Sequence, residues 1–164
     1  MKRIIVVMIV VVMLLSMLSV CSAADEKLDL VFVTPLIAHP VWDVAKAGFE
    51  AAAEEFGFNG QYVGPQGIDP AEMSNQIEIS ITQKVDGVIT MPISPEAMRP
   101  AFKKMDEAGI PYVFAGAEDP ESKAIAFVGT NEATLGAMGA EEIIKKFGDE
   151  PINAIVMMST WMHL

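Results

Sequence analysis

Short apolar runs and amphipathic helical stretches alternate along this chain from Leu28 to Met158, and no other feature restricts its fold as strongly. The run Leu28 to Thr34 (LDLVFVT) is rich in branched and aromatic residues and reads as a strand buried on both faces. Pro40 opens a helical pattern with apolar or small residues at Val41, Val44, Ala45, Gly48, Phe49, Ala52, Ala53 and Phe56, which Gly57 terminates. Gln61 to Val63 is a brief second strand. Asp69, Pro70 and Glu72 supply an N-cap, a proline at the first helical position and an early acid for a helix with Met73, Ile77 and Ile81 on one face. Val85 to Met91 is the third strand, and Ser94-Pro95-Glu96 caps a helix whose inner face is Ala97, Met98, Ala101, Phe102 and Met105. Gly109 ends that helix, and Ile110 to Ala115 and Ile125 to Val128 follow as strands. Asn131 caps a last helix carrying Leu135, Gly139, Ile143 and Phe147 and ending at Gly148, before a final apolar run from Ile152 to Met158. The alternation predicts an α/β fold, an open parallel sheet with helices on both faces.

Ahead of this pattern lies a basic head, Lys2-Arg3, then Ile4 to Leu18 with only Ser16 polar, then small residues from Ser19 to Ala24. That order is a secretory signal, so residues 1–23 are read as a signal peptide and the chain as exported. The apolar run falls short of the roughly 20 residues that a membrane-spanning helix needs. Removing the signal takes away Lys2 and Arg3 and no acid, which moves the net charge from −11 to −13. An acidic chain without a basic block is a poor partner for nucleic acid or anionic headgroups. Leu18-Ser19-Val20-Cys21 is similar to a lipobox in which Cys21 becomes the acylated first residue, with Val20 where Gly, Ala or Ser is usual. Cleavage after Ala23 or Ala24 is the other maturation these small side chains permit. A single cysteine excludes an intramolecular disulfide, and His39 and His163 have no acid at metal-ligand spacing, so neither metal nor cofactor is expected.

In open parallel sheets ligands sit beyond the carboxyl ends of the strands. Here those ends are Thr34 to His39, Gly64 to Gly67, Met91 to Ser94 and Ala115 to Glu118. No glycine-rich phosphate loop follows the first strand and no nucleophile elbow exists, so nucleotide binding and acyl transfer lack their signatures. His39 and Trp42, in the stretch HPVWD, bring a hydrogen-bonding edge and a flat apolar face to a strand-to-helix junction. Sugar rings, with apolar faces and polar rims, call for that pairing. Trp42 as helix core and His39 as a helix N-cap are the structural alternatives. Gly116 leaves room after the fourth strand, Glu118 and Asp119 can accept hydrogen bonds from hydroxyls or form a solvated turn, and Met91 faces either cleft or core.

The stretches HPVWD, AKAGFEAAAEEFGF, QKVDGVITMPISPEAM, EAGIPYVFAG and FVGTNEATLGAMGAEEI, in that order after an export signal, resemble a type 1 periplasmic binding protein. The likeness is to the ribose-type sugar-binding branch that serves ABC transporters, and YVGP is similar to its rhamnose and autoinducer-2 binders. The resemblance implies two α/β lobes that close on a small sugar-like ligand and present it to an ABC permease, or to a chemotaxis receptor, in the periplasm or from a lipid anchor. It implies ligand contacts from His39 and Trp42; this chain departs from the family at Met91, where asparagine is common, and at Gly116-Ala117, where an Asp-Arg pair is common, and Met91 and Gly116 are kept as candidate ligand-binding residues at those positions. Glu118 is a further candidate, and Thr130-Asn131 matches a Ser/Thr-Asp pair near the first interlobe crossover, making Asn131 another. The departures disfavour ribose and favour a ligand with fewer recognised hydroxyls, a modified sugar, or one held by Glu118 instead. Residues 24–128 are then a first lobe and 129–164 the start of a second, with the chain expected to be a truncated fragment. A sugar-modifying enzyme on a related fold is the competing class, and it would have to draw its acid/base pair from His39 and Glu118.

Overall fold

The computed structural model describes residues 27–148, 151–153 and 155. Residues 1–23, read above as a signal peptide, Cys21 among them, and His163 lie outside the described residues, and the chain divides into two compact units after Val128. In the first unit five strands, β1 (Asp29–Val33), β2 (Asn59–Val63), β3 (Gly87–Thr90), β4 (Tyr112–Ala115) and β5 (Ala126–Val128), pair in the order β2-β1-β3-β4-β5. All four pairings are parallel. Helices α1 (Pro40–Phe56), α2 (Pro70–Gln83) and α3 (Pro95–Ala108) connect the first four strands. The second unit contributes α4 (Glu132–Phe147), whose N-cap Asn131 accepts from the Thr134 amide at 2.9 Å.

Strand side chains alternate between faces, and the register decides which ones share a face. Val31 pairs with Val88 and Val88 with Tyr112, while Val33 pairs with Thr90 and Thr90 with Phe114. On that face Met73 and Ile77 of α2 and Met98, Phe102 and Met105 of α3 close a core in which each of these residues is at most 2% exposed. Phe102 stacks on Tyr112 at 5.6 Å between ring centroids and meets Phe114 edge-on at 5.1 Å. The opposite face carries Phe32, against which α1 sets Trp42 and Phe49, both edge-on.

The apolar arc of α1 is wider than the part it buries. Phe49 is its one buried residue, and Val41, Val44 and Phe56 stay 67%, 76% and 74% exposed. The reason is rotation about the helix axis: Phe49 and Trp42 point at Phe32, and the Val41–Val44 side is turned away.

Strand ends differ from the apolar runs for hydrogen-bonding reasons. Val85 is buried but donates to the Ser80 carbonyl at the end of α2, so β3 starts later than its apolar run. Pro111 has no amide to donate, and β4 begins at Tyr112. Ser94 occupies the N-cap of α3 without making the side-chain bond expected of it. Ile152, Asn153 and Ile155 have irregular backbone, and the rest of the apolar run to Met158 lies outside the described residues.

Candidate functional site

The order β2-β1-β3 makes the chain step to one side of β1 and then to the other, so the loops after β1 and β3 part at their carboxyl ends. A crevice forms at such a switch point. His39 and Trp42 stand on the β1 side of it and Met91 on the β3 side.

His39 is the N-cap of α1, in extended backbone, and its Nδ1 accepts from the Val41 amide at 3.3 Å. With Nδ1 engaged as an acceptor, the proton of the neutral ring sits on Nε2, and the exposed ring offers it outward as a donor. Capping and presentation of a donor are therefore compatible. Trp42, in the first turn of α1, is half-buried with its ring edge-on to Phe32 at 6.4 Å. The Tyr62 hydroxyl, from β2, donates to the Trp42 carbonyl at 3.1 Å and ties this turn to the sheet. Burial pushes the Tyr62 phenol above its ordinary value, which keeps it a donor.

The loop after β2 is held against the end of β1. Thr34 donates to the Val63 carbonyl at 2.8 Å and Ile37 to the Pro65 carbonyl at 2.9 Å. Gly64 is required there, because a Cβ would stand 2.3 Å from the Thr34 carbonyl oxygen.

Gly116, at φ +88°, turns the chain after β4 and faces the other two loops. A carbon built where its Cβ would be meets Met91 Sδ at 3.4 Å, Met91 Cε at 3.7 Å and Trp42 Cη2 at 4.0 Å. The structure thus brings Trp42, Met91 and Gly116 together, one from the end of each of β1, β3 and β4. Met91 is half-buried and contributes its thioether to this meeting point.

The family model described as periplasmic binding protein domain matches residues 30–161. The chain belongs to the periplasmic binding protein family. A Rhizobium meliloti protein described as rhizopine-binding is 33% identical over 96 residues, 55% of this chain and 30% of that protein. A glucose-galactose binding protein from Geobacillus stearothermophilus has a similar structure, with a TM-score of 0.70 at 26% identity over 74% of this chain and 43% of that one. An ABC transporter solute-binding protein from Burkholderia graminis, in complex with D-arabinose, gives 0.69 at 25% identity over 74% and 42%. This chain therefore spans less than half the length of these relatives.

In this periplasmic binding protein the two acids after β4 part company. Glu118 is exposed on the loop, while Asp119 is 4% exposed and turned inward. Arg99 of α3 holds Asp119 with a two-pronged pair, Nε and Nη2 each at 2.8 Å, and also reaches Glu121 at 3.1 Å. Ser122 Oγ donates to the same carboxylate at 2.6 Å. The Arg99 hydrogen bonds hold the Asp119 carboxyl down to about 2, well below its usual range. The sequence reading of Asp119 as a hydroxyl acceptor or a solvated turn is corrected by this burial, and Asp119 is an anchor for the loop that carries Gly116 and Glu118. Arg99 gave no sequence signal beyond a basic residue in an amphipathic helix, since its partner is 20 positions away.

Asn131 lies in the second unit, where its side chain caps α4. His39 and Glu118 share no hydrogen bond or ion pair among the described residues, and no group of three or more His, Cys, Asp or Glu there could hold a metal ion. A shallow hollow of about 330 Å³ lies at the opposite pole, by the amino ends of β3 and β4, away from the three converging loops.

Proposed function

We propose that this protein is the solute-binding component of an ABC importer and takes a sugar or sugar-like small molecule at the carboxyl ends of β1, β3 and β4. The observation that carries the reading is the meeting of Trp42, Met91 and Gly116 at the switch point of the sheet. An aromatic ring with exposed surface offers a stacking platform for the apolar face of a sugar ring. His39 Nε2 and the Glu118 carboxylate, exposed on the loops after β1 and β4, are a donor and an acceptor suited to hydroxyl groups. The relatives named for glucose-galactose binding and for a complex with D-arabinose support the ligand class, and the Burkholderia relative, an ABC transporter solute-binding protein, supports the transporter role. Export by the amino-terminal signal, with Cys21 as an alternative lipid anchor, completes the reading: the protein works outside the cytoplasmic membrane and delivers ligand to a permease. Nothing in the reading calls for catalysis.

Saturation-transfer NMR on the chain with a panel of hexoses and pentoses tests it, because the method registers association as weak as millimolar. We expect transfer to the ring protons of at least one sugar, and Trp42→Ala to weaken that binding about tenfold, the scale of an aromatic stacking contact. No transfer from any member of the panel, or wild-type binding by the alanine variant, would sink the proposal.

A further inference from the structure

The first two turns of α1 carry Trp42 and have little else to hold them to the sheet. From Pro40 to Gly48 only Trp42 and Ala45 are half-buried, the others are exposed, and full burial begins at Phe49. A segment with so few buried contacts opens locally at low cost. Trp42 is where this one is fastened. Its ring meets Phe32 edge-on, and its carbonyl accepts the Tyr62 proton at 3.1 Å. In the α-helical pattern the same carbonyl accepts from the Lys46 amide, so the phenol is a second donor to it from outside the helix. Tyr62 is itself well placed to act as a fixed point: it pairs with Phe32 in the β1–β2 register, and the two rings lie edge-on at 5.2 Å.

Thr34, two residues beyond Phe32 on β1, is fully buried, and among the described residues its Oγ1 makes no hydrogen bond of ordinary geometry. A buried hydroxyl in that state calls for a reason. The reason is the phenol beside it: Thr34 acts on Tyr62 as a hydrogen-bonding neighbour that offsets part of the effect of burial. A hydroxyl both donates and accepts, so Tyr62 can take the Thr34 proton while giving its own to Trp42. Successive hydrogen bonds of this kind strengthen one another.

We propose that Thr34 and Tyr62 are positioning residues for sugar binding: a relay of two hydroxyls, from β1 through β2 to the Trp42 carbonyl, holds the first turn of α1 so that the indole is presented ready to stack. The inference rests on the sugar-binding reading above and goes beyond it to two residues that do not touch the ligand. A platform fixed before the ligand arrives loses less freedom on binding, and affinity gains by that amount. Neither residue acts on the sugar except through Trp42.

Tyr62→Phe keeps the ring against Phe32 and removes only the donor. Its effect is read by saturation-transfer titration with the best-binding member of D-glucose, D-galactose and D-arabinose, in the wild-type chain and in Trp42→Ala. Tyr62→Phe is expected to weaken binding about fivefold in the first, the scale of one hydrogen bond, and to weaken it no further in the second. Thr34→Val, which removes the other hydroxyl, is expected to weaken binding about twofold, with no further loss once Tyr62 is phenylalanine. Amide hydrogen exchange separates positioning from general stability: Tyr62→Phe should speed exchange at Val44, Ala45 and Lys46 about fivefold and leave Val88 and Ile89 of β3 unchanged. Wild-type affinity in Tyr62→Phe, or the same loss with and without Trp42, overturns this inference and leaves the sugar-binding reading standing. Faster exchange in α1 and β3 alike also overturns it, and wild-type affinity in Thr34→Val removes Thr34 from the relay. Absence of binding by the wild-type chain to all three sugars overturns both readings.

Discussion

At the scale of single residues, two contacts with no local sequence signal hold the candidate site in shape. The first is the approach of Gly64 to Thr34. Alanine there would put a methyl 2.3 Å from a backbone oxygen, which cannot swing aside as a side chain would. We expect Gly64→Ala to cost about 1–3 kcal/mol, the range for overpacking, as measured by urea denaturation. The second is Asp119. Its carboxyl titrates at about 2 in the folded protein against a usual 3.8, so between these values the unfolded chain binds more protons than the folded one. Stability supplied by this group is therefore complete above about pH 4 and is lost as pH falls towards 2. Denaturation midpoints followed down in pH are expected to drop across that window in the wild type. Asp119→Asn is expected to be less stable at neutral pH and to show a smaller drop; an identical acid limb in both would refute the assignment. Neither contact was readable beforehand, because Gly64 looks like any turn glycine and Asp119 like any surface acid until the fold supplies Thr34 and Arg99.

The elements themselves were legible, with the differences falling at their ends. Asp69 caps α2 as its sequence context announces, accepting from the Ala71 and Glu72 amides at 2.9 and 3.1 Å. Ser94, in a similar Ser-Pro-Glu context, makes no such bond. The two caps therefore separate experimentally. Asp69→Ala is expected to cost about 1 kcal/mol, while Ser94→Ala should stay within about 0.5 kcal/mol of wild type, both by chemical denaturation. Equal losses would mean that Ser94 caps in solution. The end of α2 shows why helix stops are harder to place than starts. Lys84 takes the left-handed conformation at φ 58°, a position where glycine is the usual signal. Strand lengths depended on whether each amide was claimed by a neighbouring helix end, as Val85 is by Ser80, and an apolar run carries no record of that.

For the molecule as a whole, one face of the sheet in the first unit is sealed by α2 and α3 while the other is unevenly covered. Phe32, Ile89 and Val113 share that second face by register, and Phe32 is buried whereas Ile89 and Val113 are only half-buried. Val128 is 66% exposed, and Val41 and Val44 of α1 add more apolar surface. Exposed apolar surface of this kind attracts other apolar surfaces. We expect the chain to bind the dye ANS while folded and to self-associate at high concentration. Lysine at Val44 and Val128 should reduce both effects with stability changed by no more than about 0.5 kcal/mol. Absence of dye binding by the folded chain would contradict the exposure described. The sequence by itself determined the α/β class, the helix starts and the residues at each strand's carboxyl end, because periodicity and capping act within a few positions of the chain. Only the tertiary structure decided that Trp42, Met91 and Gly116 meet, that Asp119 turns inward to Arg99, and which side of α1 is buried. Those outcomes depend on strand order and register, which come from contacts between residues far apart in the chain.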